Sequence, residues 1–288
     1  KALEVVETII PDQKVHGVCY CLGGTLLAIA AAYLAREGED RLKTLSLFAA
    51  QIDFRDAGEV KLFIAESTLS FLETLMKDRG YLAIDNMVGA FSALRVSDLV
   101  HEPAVQRYFL GKERKLNDLM AWNSDGTRMP YRMHAEYLRR CYLDNDLAEA
   151  RFEVQGRPIS VGDIRAPAFV LGTSSDHVAP WRSVYKAVRL LRTDVTFALT
   201  NGGHNAGVAC GAEHPRRKVQ VAHHRRDDPY RDPARWQAET EVQPGSWWIP
   251  WNAWLDARSG EPVAPPSLGA PERGLPPLEP APGTYVFG

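Results

Sequence analysis

Apolar residues form strand-like and helix-like runs that alternate in the first part of the chain. Residues 15–20 are mostly apolar and predict a strand, and the alanine- and leucine-rich residues 24–37 predict a buried helix that Gly38 closes. A second apolar run at residues 42–52 predicts another buried strand. Residues 2–10 predict a short helix that precedes the first strand. This order of strand, helix and strand indicates an α/β fold with a mostly parallel sheet.

The alternation stops at residue 53 and does not resume until about residue 163. Between these points apolar residues recur at helical spacing, and polar turns such as residues 77–80 separate the segments. The apolar positions are Val60, Phe63, Ile64, Phe71, Leu72, Leu75 and Met76. The sequence therefore predicts a helical cap that is inserted between two strands of the sheet.

Strand and helix signals return in the second half of the chain. Residues 168–172 and Val195–Thr200 predict buried strands, and residues 181–191 predict the helix between them. The polar residues 213–235 carry mixed charge and predict a solvated surface excursion, whereas the tryptophan-rich residues 247–255 predict a final amphipathic helix.

The pattern divides the chain into four parts. The sheet core consists of two stretches of sequence, and the cap is inserted between them. A Pro- and Gly-rich tail follows, extended along the surface or partly disordered. The predicted boundaries are 1–52 and 163–258 for the core, 53–162 for the cap and 259–288 for the tail.

Composition narrows the functional class. A chain of 288 residues that is 45% hydrophobic can bury a substantial core, and a net charge of −2 gives no field suited to nucleic acid. No apolar run is long enough to span a bilayer, no signal peptide is recognised, and four irregularly spaced cysteines indicate a reducing cytoplasm. Because the chain opens with Lys1 inside a predicted helix, we expect it to be the carboxyl part of a longer protein.

Cys21 lies between the first predicted strand and the helix that follows it. A side chain at such a turn projects from the carboxyl edge of the sheet, and the first helical amides point at whatever it attacks. Small residues are needed two positions before and after the nucleophile, where Cys19 and Gly23 stand. The sequence predicts a nucleophile elbow that carries sulfur, with the Leu22 backbone N–H as an oxyanion donor.

Three other interpretations of this cysteine are open. Free cysteine often serves as a small buried hydrophobe, and a Cys-x-Cys pair can bind metal, although Cys141 and Cys210 have no ligand spacing. Cys19 could itself be the nucleophile, but that register would put Cys21 and Leu22 where the turn needs small residues.

A cysteine nucleophile requires a base and a group that orients the base. The α/β-hydrolase fold supplies them in the order nucleophile, acid, histidine, and Asp176 and His204 follow the two later strands in that order. Asp176 could instead cap the helix entered through Pro180, and His204 could simply be solvated in its glycine-rich loop. His177 competes for the role of base, but it neighbours the acid on the same loop, which disfavours triad geometry.

Several motifs in a fixed order extend this pattern over nearly the whole chain. They are residues 21–25 (CLGGT), 122–127 (WNSDGT), 137–139 with 143–145 (YLR and LDN), 175–181 (SDHVAPW), 203–207 (GHNAG), 245–248 (GSWW) and 281–286 (APGTYV). Together they resemble the catalytic domain of polyhydroxyalkanoate synthases, with the single-subunit class I enzymes the most similar. The match is least certain near residues 210–240.

The resemblance implies an α/β-hydrolase fold and acyl transfer from (R)-3-hydroxyacyl-CoA to a growing polyester. Cys21 would hold the acyl chain as a thioester, His204 would take the thiol proton, and Asp176 would orient His204 and help to activate the 3-hydroxyl group. No cofactor or metal is implied, since coenzyme A is the leaving group of the substrate. The resemblance also implies a cytoplasmic homodimer at the surface of polymer granules, with dimer contacts in the cap.

Two departures from the family pattern matter. Family members carry glycine where this chain has Cys19, so overpacking of about 1–3 kcal/mol is expected at a crowded contact. They also carry several strands before the elbow strand, without which Val15–Tyr20 would be an exposed sheet edge. We therefore expect this chain alone to be poorly soluble or inactive, and a soluble monomer with family-like rates would contradict that.

Two rival functions remain open. One is a thioesterase, lipase or polyester depolymerase of the same fold; the cysteine at the elbow disfavours it, and release of free 3-hydroxy acid without polymer would favour it. The other is a non-catalytic remnant that binds granules or a full-length partner, which polymer synthesis unaffected by Cys21→Ala would support.

Overall fold

In a computed structural model, which describes residues 1–83, 85–87, 89, 96, 100–112, 117–124 and 126–284, six strands form a central sheet. In chain order, which is also their order across the sheet, they are β1 (Val15–Tyr20), β2 (Leu42–Phe48), β3 (Ala168–Thr173), β4 (Val195–Thr200), β5 (Lys218–His224) and β6 (Gln243–Pro244). The first four pair in parallel, and β5 and β6 join in antiparallel. The predicted α/β architecture with a mostly parallel sheet is confirmed.

The helices flank this sheet and fill the segment between β2 and β3. They are α1 (Ala2–Ile9), α2 (Leu22–Arg36), α3 (Glu66–Lys77), α4 (Glu102–Ala104), α5 (Asp118–Ser124), α6 (Tyr131–Glu136), α7 (Trp181–Tyr185), α8 (Ala187–Leu190), α9 (His204–Val208), α10 (Pro233–Glu239) and α11 (Trp248–Asp256). In the described parts of the chain, none of the helices has both the length and the apolar character needed to cross a membrane.

Shorter elements complete the framework. There are 3₁₀ turns at Glu59–Phe63, Val161–Asp163 and Pro271–Arg273, π-helical turns at Val105–Phe109 and Tyr137–Leu143, and two small ribbons that pair Tyr81–Leu82 with Met129–Pro130 and Glu153–Val154 with Arg157–Pro158. The segment between β2 and β3 is therefore mostly helical, as the pattern predicts. Parts of it lie outside the described residues, and its exact boundaries as a cap stay a prediction.

Both faces of the sheet are buried, which explains why its strands are continuous apolar runs. In β2, Leu45 and Leu47 face a core that contains the alanines of α2 and side chains of the inserted segment. Phe48 faces the opposite core, where Trp247 and Trp251 pack edge-on against its ring. The sheet is thus held between α2 on one side and the tryptophan-rich α11 on the other.

The prediction for residues 213–235 is wrong in its central part. β5 lies inside that segment and pairs with β4 from Val219 to His224, and α10 begins within the segment. Two of the inward positions of β5 carry polar residues, the buried Gln220 and His224, so the strand lacks an apolar alternation. Gln220 is satisfied locally, because its side-chain amide donates to the carbonyl oxygens of Gln237 and Thr240.

Other boundaries shift by smaller amounts. The elbow helix begins at Leu22 instead of residue 24, because the helical backbone starts directly after the turn. The helix predicted at residues 181–191 is present as α7 and α8, which a turn at Lys186 separates. The final tryptophan-rich helix is confirmed as α11.

The strand β1 forms one edge of the sheet among the described strands. Its residues are only partly buried, and Val18 is 41% exposed. Leu26, on the following helix, is 43% exposed. The expected edge is therefore present, whereas the poor solubility inferred from it stays a prediction.

Buried His224 predicts a loss of stability in mild acid. Burial, with a smaller contribution from Arg231, lowers the pKa of His224 to about 4, against about 6.5 for an exposed histidine. The unfolded chain therefore binds a proton that the folded chain does not, and stability falls as the pH drops from about 6.5 towards 4. Replacing His224 with Gln is expected to reduce this loss in Tm between pH 7 and pH 5. The half-exposed His223 on the same strand is the control, and equal effects of His223→Gln and His224→Gln would contradict the assignment.

Candidate active site

Cys21 occupies a sharp turn between β1 and α2. Its backbone has φ 54° and ψ −127°, a conformation that residues other than glycine rarely adopt. Two bonds hold the turn: the Cys21 N–H donates to the Phe48 carbonyl over 2.8 Å, and the Cys21 carbonyl accepts from Gly24 N–H over 2.9 Å. The predicted strand-turn-helix setting of Cys21 is present, and it is the strained turn that a nucleophile elbow requires.

The tight approach at this turn is made by Gly24. A Cβ on Gly24 would lie 2.4 Å from the Cβ of Ala50, so any side chain there would force α2 away from the end of β2. A Cβ on Gly23, in contrast, would lie 3.7 Å from the Cβ of Cys19, which is ordinary contact. Cys19 is therefore not crowded by Gly23, because the tightest contact of this turn lies one residue further along the helix; the overpacking cost expected at Cys19 stays a prediction.

Leu22 is the first residue of α2, so its N–H precedes the intrahelical hydrogen bonds. Within the described part of the chain, no acceptor takes this N–H. It lies next to Cys21 at the positive end of a 15-residue helix. This placement suits an oxyanion donor, and that role stays a prediction.

Asp176 follows β3, and its side chain is fully enclosed. One carboxylate oxygen accepts from the backbone N–H groups of Val178 and Ala179, both over 2.8 Å. The other accepts from the Thr173 hydroxyl over 3.2 Å and faces His204 Nδ1 at 2.7 Å. Asp176 thus fixes its own loop, as the capping alternative proposes, and also orients the histidine.

His204 follows β4 at the start of α9 and meets both partners. Burial alone would lower its pKa, but hydrogen bonds to the side chains of Asp176 and Cys21 outweigh burial and raise the pKa of His204 to about 9. Nδ1 faces Asp176, which leaves Nε2 for the sulfur. The structure therefore brings together Cys21, His204 and Asp176, which the sequence predicted as nucleophile, base and acid.

His177 plays a different part. Its backbone carbonyl accepts from Glu59 N–H over 3.2 Å, which ties the acid loop to the inserted segment. Gly58 passes so close that a Cβ there would lie 2.3 Å from this carbonyl, and Gly58 has φ 71°. The histidine that contacts Asp176 is His204, so the geometry favours a backbone role for His177.

The other cysteines differ from Cys21 in their surroundings. Burial raises the pKa of the Cys19 thiol, which lies beside Gly23. Burial also raises the pKa of Cys141 to about 12, and Cys210 is buried against Gly207. Among the described residues, no three His, Cys, Asp or Glu side chains group as metal ligands.

Two tyrosines that the chemical reasoning did not single out line the site. Tyr137 and Tyr142 lie on one π-helical turn of the inserted segment, and their rings pack edge to face at 5.4 Å. Burial raises the pKa of both hydroxyls, with a further contribution from the nearby Cys21. Of the two, the sequence motifs include only Tyr137, within YLR, and do not mark Tyr142, because nothing local shows that this segment folds over the elbow.

Comparison with known proteins gives a consistent family of relatives. The chain is 36% identical over 285 residues to poly(3-hydroxyalkanoate) polymerase subunit PhaC of Rhizobium meliloti and 39% identical over 291 residues to that of Rhizobium etli. It is 33% identical over 292 residues to the corresponding subunit of Cupriavidus necator. These alignments cover 99% of this chain but 46%, 44% and 49% of the relatives, so the chain spans about half their length. No family model matches the chain.

Hydrolases are among the solved structures with some likeness to this chain. They include the monoacylglycerol lipase of Paleococcus ferrophilus, at 16% identity and a TM-score of 0.38 over 70% of this chain and 65% of the lipase. The epoxide hydrolase of Bacillus megaterium gives 15% identity and a TM-score of 0.38 over 71% of this chain and 68% of that chain.

Proposed function

We propose that this chain, which is similar to polyhydroxyalkanoate synthases over 99% of its own length, is an acyltransferase that polymerises hydroxyacyl groups. Its substrate is an (R)-3-hydroxyacyl-CoA thioester, its products are a polyester and free coenzyme A, and Cys21 is the covalent acyl carrier. One observation carries the proposal: Cys21 stands on a strained turn, hydrogen-bonded to a histidine that Asp176 orients.

In the first step Cys21 takes the acyl group. His204 accepts the thiol proton through Nε2, and the thiolate attacks the thioester carbonyl, whose oxygen becomes an oxyanion beside the Leu22 N–H. The C–S bond to coenzyme A then breaks, and His204 returns the proton to the leaving sulfur. The acyl group moves from the sulfur of coenzyme A to the sulfur of Cys21. One thioester replaces another, so this step is nearly isoenergetic.

In the second step a hydroxyl group intercepts the acyl-enzyme. The 3-hydroxyl of an incoming hydroxyacyl-CoA gives its proton to His204 and attacks the Cys21 thioester; an ester forms and Cys21 leaves as the thiol. Cys21 then attacks the thioester of the lengthened chain and releases coenzyme A. Each cycle adds one unit and leaves the chain on the sulfur.

Asp176 acts through His204 in this scheme. The resemblance implies that it also helps to activate the incoming hydroxyl, but its side chain has no exposed surface and both oxygens are bonded. We therefore assign the hydroxyl proton to His204 alone. The carboxylate keeps the imidazole in the tautomer that presents Nε2 and stabilises the imidazolium.

Water must be kept from the acyl-enzyme, because hydrolysis would end the polymer. The rings of Tyr137, Tyr142 and the buried Phe54 pack edge to face or tilted against one another and supply a wall over the elbow. Dimer formation and attachment to polymer granules, which the family resemblance implies, extend the same proposal to the whole protein.

The test is to identify the acylated atom and the product together. The chain is incubated with isotopically labelled (R)-3-hydroxybutyryl-CoA, quenched in acid, digested, and the peptide that contains Cys19 and Cys21 is sequenced by mass spectrometry. We expect label on Cys21, release of coenzyme A and ester-linked oligomers. Label on Cys19 would move the nucleophile, and free 3-hydroxybutyrate without oligomers would make the protein a hydrolase.

A further inference from the structure

We propose that the Tyr20 hydroxyl is a positioning group for His204, one that ties the loop of the base to the strand of the nucleophile. The inference rests on the proposed function, because it concerns how the same site activates Cys21. Tyr20 is the last residue of β1 and immediately precedes Cys21, whereas His204 begins α9 far away in sequence.

The contacts are specific. The Tyr20 hydroxyl donates to Asn205 Oδ1 over 2.5 Å and lies 3.3 Å from the His204 carbonyl oxygen. A hydroxyl has one proton, so the short bond to Asn205 is the principal one and the carbonyl takes a weaker share. The Tyr20 and His204 rings also lie against each other, with centroids 5.0 Å apart and planes at 37°.

Tyr20 stays a hydrogen-bond donor over the working range of the enzyme. Its ring is partly buried, and burial raises the pKa of its hydroxyl, with added repulsion from the charges of Cys21 and Asp176. The donor is therefore neutral and protonated whenever a thiolate forms beside it. A neutral donor anchors the loop without competing with the imidazole for the sulfur's proton.

The loop of His204 needs such an anchor. It is entered through Gly202 and Gly203, and α9 is only five residues long. On its other side Arg217 donates to the carbonyl oxygens of Asn201 and Ala206, and the Trp247 indole N–H donates to the Gly207 carbonyl over 3.1 Å. These bonds hold the loop to β5 and to the start of α11.

Of the bonds to this loop that the described residues show, those of Tyr20 come from the residue that directly precedes the nucleophile. They therefore set the separation of Cys21 from His204, whereas Arg217 and Trp247 set the loop on the body of the protein. A small drift of the imidazole would lengthen its hydrogen bond to the sulfur and weaken the pair that favours the thiolate.

The test is Tyr20→Phe, which removes the hydroxyl and keeps the ring. Tyr20→Phe and its control, Tyr33→Phe, are made in a Cys19→Ala background, in which Cys21 is the one cysteine of the chain that is not buried. The rate of Cys21 alkylation by iodoacetamide is measured from pH 5 to pH 10 by mass spectrometry, because the thiolate is the species that reacts. We expect Tyr20→Phe to slow alkylation at pH 7 by about three- to tenfold, the weight of one hydrogen bond, and to move the pH profile upward.

Tyr33→Phe is the matched control. Tyr33 lies on α2, and its hydroxyl bonds only weakly, at 3.5 Å, to Gln155 away from the elbow. Tyr33→Phe should therefore leave the pH profile of Cys21 alkylation unchanged. His204→Ala gives the upper limit, because it removes the partner that Tyr20 is proposed to position.

The alkylation experiment tests the positioning role of Tyr20 independently of whether the chain makes polymer. A shifted profile in Tyr20→Phe, with Tm and the profile of Tyr33→Phe unchanged, supports the positioning role even if no polymer is made. A Tyr20→Phe profile that coincides with the parent's overturns it, even if the chain polymerises hydroxyacyl-CoA. Equal shifts in both tyrosine variants also overturn it, because they would show a general loss of packing.

Discussion

Cys21→Ala is expected to abolish acyl-enzyme formation and polymer synthesis. Alanine keeps the small volume at the turn but removes the sulfur that carries the chain in the proposed mechanism and that forms a hydrogen bond with the imidazole of His204. The residual rate should be undetectable, because the proposed mechanism extends the polymer only through the covalent intermediate on Cys21. The measurements are incorporation of labelled (R)-3-hydroxybutyryl-CoA in vitro and polymer content in cells that depend on this gene product.

Cys19→Ala is the matched control for that loss. Cys19 is the nearest thiol in sequence, is also partly exposed, and lies in ordinary contact with Gly23. Its removal should leave labelling of Cys21 and polymer synthesis within about twofold of the parent, as expected for a surface change away from the chemistry. Full polymer synthesis in Cys21→Ala would favour a remnant that supports another enzyme, and loss in Cys19→Ala alone would exchange the roles of the two sulfurs.

The elbow could be predicted from sequence because its signals are local. An apolar strand, a small residue after the cysteine and an alanine-rich helix stand next to one another, and each restricts the backbone of the next. Asp176 and His204 could be predicted because each follows closely after a strongly apolar strand, β3 or β4. Parallel neighbours deliver the ends of their strands to one edge of a sheet, so order along the chain became proximity in space.

The features that were missed depend on long-range contacts. The pattern predicts a loop where β5 lies because residues 213–235 are polar and of mixed charge, whereas the buried Gln220 finds its acceptors only in the carbonyl oxygens of Gln237 and Thr240. The bond from Tyr20 to Asn205 joins residues 185 positions apart. The crowding at Gly24 depends on Ala50, which follows the next strand. Neither pattern nor propensity in one segment contains these pairings.

Asp176→Asn is expected to lower kcat by about three to four orders of magnitude while the fold is retained. The asparagine oxygen can still accept from the backbone of Val178 and Ala179, so the loop keeps its shape. The amide that then faces His204 Nδ1 carries no charge and cannot favour the imidazolium, so the pKa of His204 should fall from about 9. The hydrogen-bonded pair of Cys21 and His204 would be weakened, and alkylation of Cys21 at pH 7 should slow.

The control for this charge removal is Asp194→Asn. Asp194 also faces a histidine, but its carboxylate lies 4.0 Å from His223 Nε2 and both side chains are about half exposed. Exposed pairs of this kind contribute little, so kcat and the Cys21 profile should remain those of the parent. If Asp176→Asn instead keeps more than a tenth of the parent kcat, the buried carboxylate serves to shape its loop and not to polarise His204. Catalysis would then depend on Cys21 and His204 without the charge of Asp176, and the mechanism would involve two residues instead of three.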